Sequence, residues 1–445
     1  MSYLSLTQEE KKKMFETIGV SSFEDLLACV PASLRNASVD IPLGVSELEI
    51  QRMFQEYASQ NETTSSALSF LGAGSYEHFI PSAVSQLVSR SEFYTAYTPY
   101  QPEASQGTLQ AIYEYQSMMT ELTGLDVSNA SHYDGSTALA EAVLLTLRHT
   151  DRKKILLSRS LHPHYRQVIH TYLLGTPYSV VEIGLNQEGL LDREQFEGAL
   201  DEEVAGAVFQ TPNFFGAIED LEGISEKLHE IGALMILSSH PLAFPVLKSP
   251  GEWGADIAAG EGQPLGIGLQ YGGPYLGYFA TTRALMRRIP GRIAGISKDE
   301  KGRRCFCLTL QAREQHIRRE RASSNICTNQ ALCALAACVY MTLLGKEGMK
   351  EVAELNMDRA YYLRDEISKL KGFEVEADLP IFNEFRVKSE KPFSKIQEKL
   401  LKKNIFAGVD LSQFYPELKN QFLVCATETK TREAIDHFVK ELSQC

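Results

Sequence analysis

An α/β fold with a mainly parallel sheet is what this sequence predicts, on three observations. Short apolar runs rich in Val, Ile and Ala recur through its middle: "KKILLS", "YSVVEIGL", "EVAGAVFQT", "ALMILSS" and "GADIAAG". Helical patterns such as "DREQFEGAL" and "DLEGISEKLHEIG" separate several of them. Such alternation places parallel strands between helical layers, and strands covered on both faces read as unbroken apolar runs. The last hundred or so residues then change rhythm and read as a small α+β module.

The first 60 or so residues are helical and polar. Thr7 and Glu10 form a capping box before "KKKMFETIG", and Gly19 suits the C-terminal stop. Ser22 caps "SSFEDLLACVP" in the same way. Helices this short bury little alone, so they are expected to lie across a larger body or a partner. "PYLGYFATT" adds a strand, followed by a helix at "RALMRRIP". "ALCALAACVYMTLLG" falls short of the ~20 residues of a membrane span and reads as a buried helix. Beyond it come a long helix beginning at "MKEVAEL", strands at "FEVEA" and "IFNEFRVK", the helix "FSKIQEKLLKKN", a strand at "FLVCATE" and a final helix. The expected division is a helical arm over 1–65, a large domain over 66–345 and a small domain over 346–445.

Composition narrows the function classes. At 445 residues the chain exceeds the ~150 of a typical domain, which agrees with that division. A net charge of -13 argues against nucleic acid as the main partner, because duplex binding draws on clustered positive charge. A lipid-facing role is equally unsupported. The start "MSYLSLTQEEKKKMFE" has no apolar leader core, so a cytoplasmic protein is expected. Eight cysteines occur without CxxC pairs, as in a reduced cytosolic core, and no Cys/His cluster offers a metal site.

Two stretches could carry chemistry. In "SHYDGSTALAEAVLLTL", Leu139, Ala142, Val143, Thr146 and Leu147 follow helical spacing. Gly135, Ser136 and Thr137 stand at the N-terminus of that helix, where free N–H groups favour an anion. They form either a phosphate cup or an ordinary cap. "GEGQPLGIGLQYGGPYLG" (Gly260 to Gly277) is either a glycine-rich cradle for a cofactor or a tight structural loop.

A helix-terminal cup, then alternating strands and helices, then a small α+β module is the layout of the aspartate-aminotransferase-like enzymes, the fold type I users of pyridoxal phosphate. Such a site needs the cup for phosphate, a carboxylate after a strand for the pyridinium nitrogen, and a lysine for the aldehyde. After "LMILSS" the chain reads His240 and Pro241, with no acid before Glu252. No lysine occurs between Lys248 and Lys298. The architecture is that of a cofactor enzyme, and two of three cofactor-binding parts are missing. A self-sufficient lyase or transaminase would have to use Lys248 or Lys298. A non-catalytic scaffold of the same fold is the other alternative.

"FLGAGSYEHFIP", "YTPYQPEASQGTLQAIYEYQ", "GEGQPLGIGLQYGGPYLG" and "QAREQHIRRERASSNICTNQALCALAA" resemble the glycine decarboxylase P-protein family, and within it the alpha chains of the two-chain form. The resemblance runs from the first helix to the tail. It implies that the pyridoxal-phosphate lysine belongs to a separate beta chain, and that Gln263 stands where that lysine would be. It places His240 where the ring-nitrogen aspartate would be, leaving Gly135, Ser136, Thr137, His240 and Gln263 as a vestigial cradle without cofactor. It further implies an α2β2 assembly that acts on glycine and on lipoylated H-protein.

Two further segments gather candidates for an interface or for the path of the lipoyl arm. "AREQHIRRERASSN" brings Arg313, His316, Arg318, Arg319 and Asn325 close in sequence, and arginine's fork suits carboxylate or phosphate. The other reading is a solvated face. "YTAYTPYQPEASQG" offers Tyr97 and Tyr100 on a loop that its prolines keep out of a helix. His78, in "GAGSYEHFIP", reads as a structural histidine.

Overall fold

The computed structural model describes residues 5–35 and 40–445. Residues 1–4, part of the stretch read for a leader, lie outside the described residues. The chain divides into two compact units, Met1–Glu62 and Thr63–Cys445.

In the first unit the helix Gln8–Ile18 carries the expected Thr7–Glu10 capping box and ends on Gly19 in the left-handed conformation. Ser22 caps Phe23–Leu26 reciprocally with Asp25. Ser46 does the same with Glu49 for Glu47–Ser59. No residue of these helices is buried.

The second unit is built on a seven-stranded sheet of β1 (Val127–Ser128), β2 (Lys154–Ser158), β3 (Ser179–Ile183), β4 (Val204–Gln210), β5 (Leu234–Ser238), β6 (Ile257–Glu261) and β7 (Gly277–Thr281). Their order is β1-β7-β6-β5-β4-β2-β3, and only β7 runs against its neighbours. The predicted apolar runs are therefore the central strands. Six of the seven residues of β4 are buried, as a strand covered on both faces requires. Gly206 in β4 has a structural reason: a Cβ there would lie 2.4 Å from the Leu234 carbonyl oxygen of β5.

Helix α1 (Gln106–Thr123) and α2 (Gly135–Thr150) cover opposite faces. After α2 and β2 comes α3 (Pro163–Leu173). Helix α4 (Ala331–Ser368) begins as the expected buried helix and continues past Gly345, whose φ of 60° and ψ of -171° break it sharply. Two helices predicted from sequence thus meet end to end across the position expected to separate the domains. The C-terminal strands Phe373–Val375, Glu384–Ser389, Gln421–Cys425 and Val409–Asp410 form a separate antiparallel sheet.

One expected element is corrected. "RALMRRIP" makes only the single turn Arg283–Leu285. Ile289 is fully buried, and the chain passes Pro290 straight into the hairpin of Ile293–Lys298 with Arg304–Thr309. Cys305 and Cys307 lie on that hairpin, and all eight cysteines are free thiols.

Candidate functional site

The N-terminus of α2 is where the sequence offered either a phosphate cup or an ordinary cap, and the protein's own carboxyl groups occupy it. Asp134 is the N-cap. Its Oδ1 accepts the Thr137 amide at 2.9 Å and the Ser136 hydroxyl at 2.6 Å. The Gly135 amide donates to Oε2 of Glu261 at 3.0 Å. Oε1 of Glu261 accepts from the amides of Gln263 at 2.9 Å and Leu276 at 3.0 Å. Glu261 ends β6, so the strand end places a carboxyl group on the helix terminus, where Oε2 takes up the otherwise free Gly135 N–H. Gly135 permits this approach, since a Cβ would fall 2.6 Å from the Glu261 amide nitrogen.

Gln263 is fully buried and held by backbone on three sides. Its oxygen accepts the Tyr76 amide at 3.0 Å. Its nitrogen donates to the carbonyls of Tyr76 at 3.0 Å and Ile267 at 2.6 Å. His240 follows β5 and packs among the rings of Tyr76, Phe382 and His78, at 4.7, 5.2 and 5.6 Å. Its Nδ1 accepts the Leu242 amide at 3.3 Å, and its Nε2 meets the Asn383 amide group at 3.2 Å. Burial and neighbouring His78 hold the imidazole well below its ordinary range, so it is neutral.

His240 and Glu261 line one cavity together with Tyr76, His162, Tyr165 and Glu384, among others. It measures about 30 Å³, room for roughly two waters, whereas small-molecule pockets run to about 300–1,000 Å³. Glu384 reaches in from the C-terminal sheet and accepts from the Tyr76 hydroxyl at 2.5 Å and the Ala73 amide at 2.8 Å.

Comparison with known proteins places this geometry. Residues 1–442 match the profile of the glycine cleavage system P-protein. The chain belongs to the glycine cleavage system P-protein family. A probable glycine dehydrogenase (decarboxylating) subunit 1 of Geobacillus sp. (strain WCH70) is 52% identical over 444 residues, covering 100% of this chain and 99% of that protein. One of the same description from Desulfitobacterium hafniense (strain DSM 10664 / DCB-2) is 51% identical over 445 residues, covering 100% of both. A crystal structure of glycine decarboxylase (P-protein) in inhibitor-bound form superposes with a TM-score of 0.91 at 40% identity, over 100% of both chains. A Lactobacillus brevis (CGMCC 1306) glutamate decarboxylase superposes with a TM-score of 0.69 at 13% identity, over 93% of this chain and 96% of that one. That distant likeness speaks to the fold, which is fold type I of the pyridoxal-phosphate enzymes.

The residues of this P-protein chain do not fit pyridoxal phosphate. The helix terminus that would hold its phosphate is ligated by Glu261, the group facing the ring nitrogen would be a neutral imidazole, and the cavity is too small. Neither lysine of the self-sufficient alternative lines it. Lys248 pairs with Glu222 at 3.0 Å over the Trp253 ring, and Lys298 is exposed on the hairpin.

The remaining candidates of this P-protein chain gather elsewhere. Arg292, buried, ties the tyrosine loop to the segment after the arginines. Its guanidinium donates to the Tyr100 hydroxyl at 3.2 Å, the Cys327 carbonyl at 2.6 Å, Thr328 Oγ1 at 3.4 Å and Asn329 Oδ1 at 3.2 Å. His316 meets the Tyr100 ring at 5.8 Å. Arg313 is half-buried and holds the carbonyls of Ile289 and Gly291. Tyr97 is 84% exposed, and Arg318, Arg319 and Asn325 are exposed too. His78 is a structural histidine, bound through Nδ1 to buried Glu428 at 2.9 Å.

Sequence reasoning missed Glu261, His162, Tyr165, Asn383, Glu384 and Arg292. Glu261 stands inside the glycine-rich loop, in which the sequence singles out Gln263 and the glycines but gives no local sign of a carboxyl group turned onto α2. His162 carried a signal too: it precedes Pro163 at the start of α3 and caps the His164 amide at 3.2 Å. Its ring stacks on Tyr165 at 4.5 Å, and its Nε2 lies 2.9 Å from the Ala73 carbonyl oxygen.

These buried groups give the fold a pH dependence. Burial pushes Glu384 up to about 7, and pushes Glu261 up to about 8 against the pull of three amide N–H groups. Burial lowers His162 to about 4 and His132 to about 3. The unfolded chain loses carboxyl protons near 4.5 while the folded chain keeps them longer, so the carboxyl contribution falls as pH rises through those folded values. The imidazoles act oppositely, losing stability as pH falls below 6.5. Above pH 6.5 the carboxyls dominate, at roughly 1.4 kcal/mol per pH unit for a titrating group. Melting temperature should therefore decline from pH 6.5 to 8.5, and Glu261→Gln should flatten the decline. A flat wild-type profile contradicts this assignment.

Proposed function

We propose that this chain is the alpha subunit, subunit 1, of a glycine decarboxylase and holds no pyridoxal phosphate of its own. A lysine-bearing beta subunit, subunit 2, carries the cofactor, and the two assemble as α2β2 in the cytoplasm. The assembly breaks the carboxyl bond of glycine and releases carbon dioxide. The aminomethyl carbon left behind bonds to one sulfur of the oxidised lipoyl arm of H-protein, while the lipoyl disulfide opens and is reduced. Pyridoxal phosphate on the beta subunit supplies the electron sink that this bond cleavage needs. No nucleic acid or membrane takes part in this reading.

The observation that carries it is Glu261 on the Gly135 amide, with Gln263 locked to backbone beside it. A phosphate and this carboxyl group compete for one helix terminus, and the carboxyl group is tethered there by the strand that bears it. This chain then contributes a rigid, closed body against which the beta active site is supported.

Glycine–bicarbonate exchange tests the proposal. Purified alone with pyridoxal phosphate and lipoylated H-protein, the chain should exchange no carboxyl carbon. Adding subunit 2 should bring exchange well above that of subunit 2 alone. Exchange by this chain alone would overturn the reading.

A further inference from the structure

The basic residues of this acidic chain are unevenly placed. Residues 283–321 hold twelve of its 44 Lys and Arg but only four of its 57 Asp and Glu. That segment carries +8, and the remainder carries -21. Contacts draw part of it into one face. Arg288 donates to the Arg148 carbonyl at 3.1 Å, and Arg148 donates to the Ser323 carbonyl at 2.5 Å. The Ser323 amide donates to the Arg313 carbonyl at 3.2 Å, and Arg318 donates to the Ala312 carbonyl at 2.9 Å. Arg319 and Arg321 lie on the stretch between Arg318 and Ser323.

Most of these charges are unspent. Arg148, Arg288, Arg318, Arg319 and Arg321 are exposed, and the Arg319 side chain makes no hydrogen bond or ion pair among the described residues. Of the acids beside them, Glu141 and Glu314 are largely buried and Glu320 reaches Arg321 only at 3.8 Å. Exposed arginines with so little acidic compensation are poor material for a permanent subunit interface, whose core is apolar and depleted in charge. They suit a partner that arrives and leaves, because facing charges raise association rates more than they lengthen residence. The -21 of the remaining chain disfavours a nucleic acid, which would run beyond the patch into repulsive surface. The face borders the tyrosine loop through the His316–Tyr100 ring contact.

We propose that this arginine face docks an acidic surface of the lipoyl-bearing carrier protein during each turnover. The inference rests on the functional reading above, in which such a carrier is the second substrate. It assigns the carrier's recognition to this chain.

The test uses the assembled two-subunit enzyme with the double variant Arg319→Glu/Arg321→Glu. The KM for lipoylated carrier should rise about tenfold, with kcat within about twofold. The difference should shrink as salt is raised toward 0.5 M, where screening is nearly complete. Turnover with free lipoamide, which presents no protein surface, is the internal reference. An unchanged KM for the carrier overturns the docking site. Loss of assembly in size-exclusion chromatography overturns it too, by making the face a subunit contact. If wild-type enzyme transfers nothing to carrier or lipoamide, the functional reading itself fails, and that result is separate.

Discussion

Gln263→Lys should not give this chain a cofactor. The variant, incubated with pyridoxal phosphate and borohydride, should take up no label at position 263, and it should be less stable by about 3 kcal/mol. The reason is the present use of the side chain. Gln263 accepts from the Tyr76 amide while donating to two carbonyls. Lysine can donate but cannot accept, so the Tyr76 N–H is left buried without a partner, at a cost of about 1–3 kcal/mol. An ammonium in a site with no solvent exposure adds to that cost and favours the neutral amine. Even a deprotonated lysine meets a filled cup, because Glu261 still occupies the Gly135 amide. Denaturant titration and peptide mapping read the two effects. A stable variant with stoichiometric label at 263 contradicts the picture of a closed site.

Arg292→Ala should destabilise the chain by about 3–5 kcal/mol. Four acceptors on Tyr100, Cys327, Thr328 and Asn329 depend on one buried guanidinium. Asn329 in turn donates to the Ala130 carbonyl and Ser131 hydroxyl, at 3.0 and 3.2 Å, just ahead of α2. Removing the arginine therefore frees the tyrosine loop and loosens the lead-in to the helix terminus together. Proteolysis should become faster within residues 97–104, and denaturation midpoints should fall. Arg292→Lys should recover only part of the loss, since a point charge cannot span the same fork. An alanine variant as stable and protease-resistant as wild type would remove Arg292 from this role.

Much of the fold was legible because it rests on local pattern. "VAGAVFQ" and "LMILS" are unbroken apolar runs and became central strands, buried on both faces. The caps at Thr7 and Ser22 were readable because capping is decided within four residues. Of the site, the sequence exposed what was missing, the lysine and the acid. It did not show which groups fill the site instead. Glu261 binds an amide 126 residues earlier and another 15 residues later, and Glu384 meets Ala73 across 311 residues. No periodicity encodes such pairings. Arg292 was hidden for the same reason, since it lies in an irregular stretch whose partners come from two distant loops. The helix expected at "RALMRRIP" failed because burial of Ile289 and the turn at Pro290 outweighed local helical pattern.

The most direct test of the central claim is to reduce the assembled, working enzyme with borohydride and map the pyridoxyl group by mass spectrometry. All label should fall on one lysine of the beta subunit, with none on this chain. A stoichiometric pyridoxyl-lysine on this chain would contradict the account.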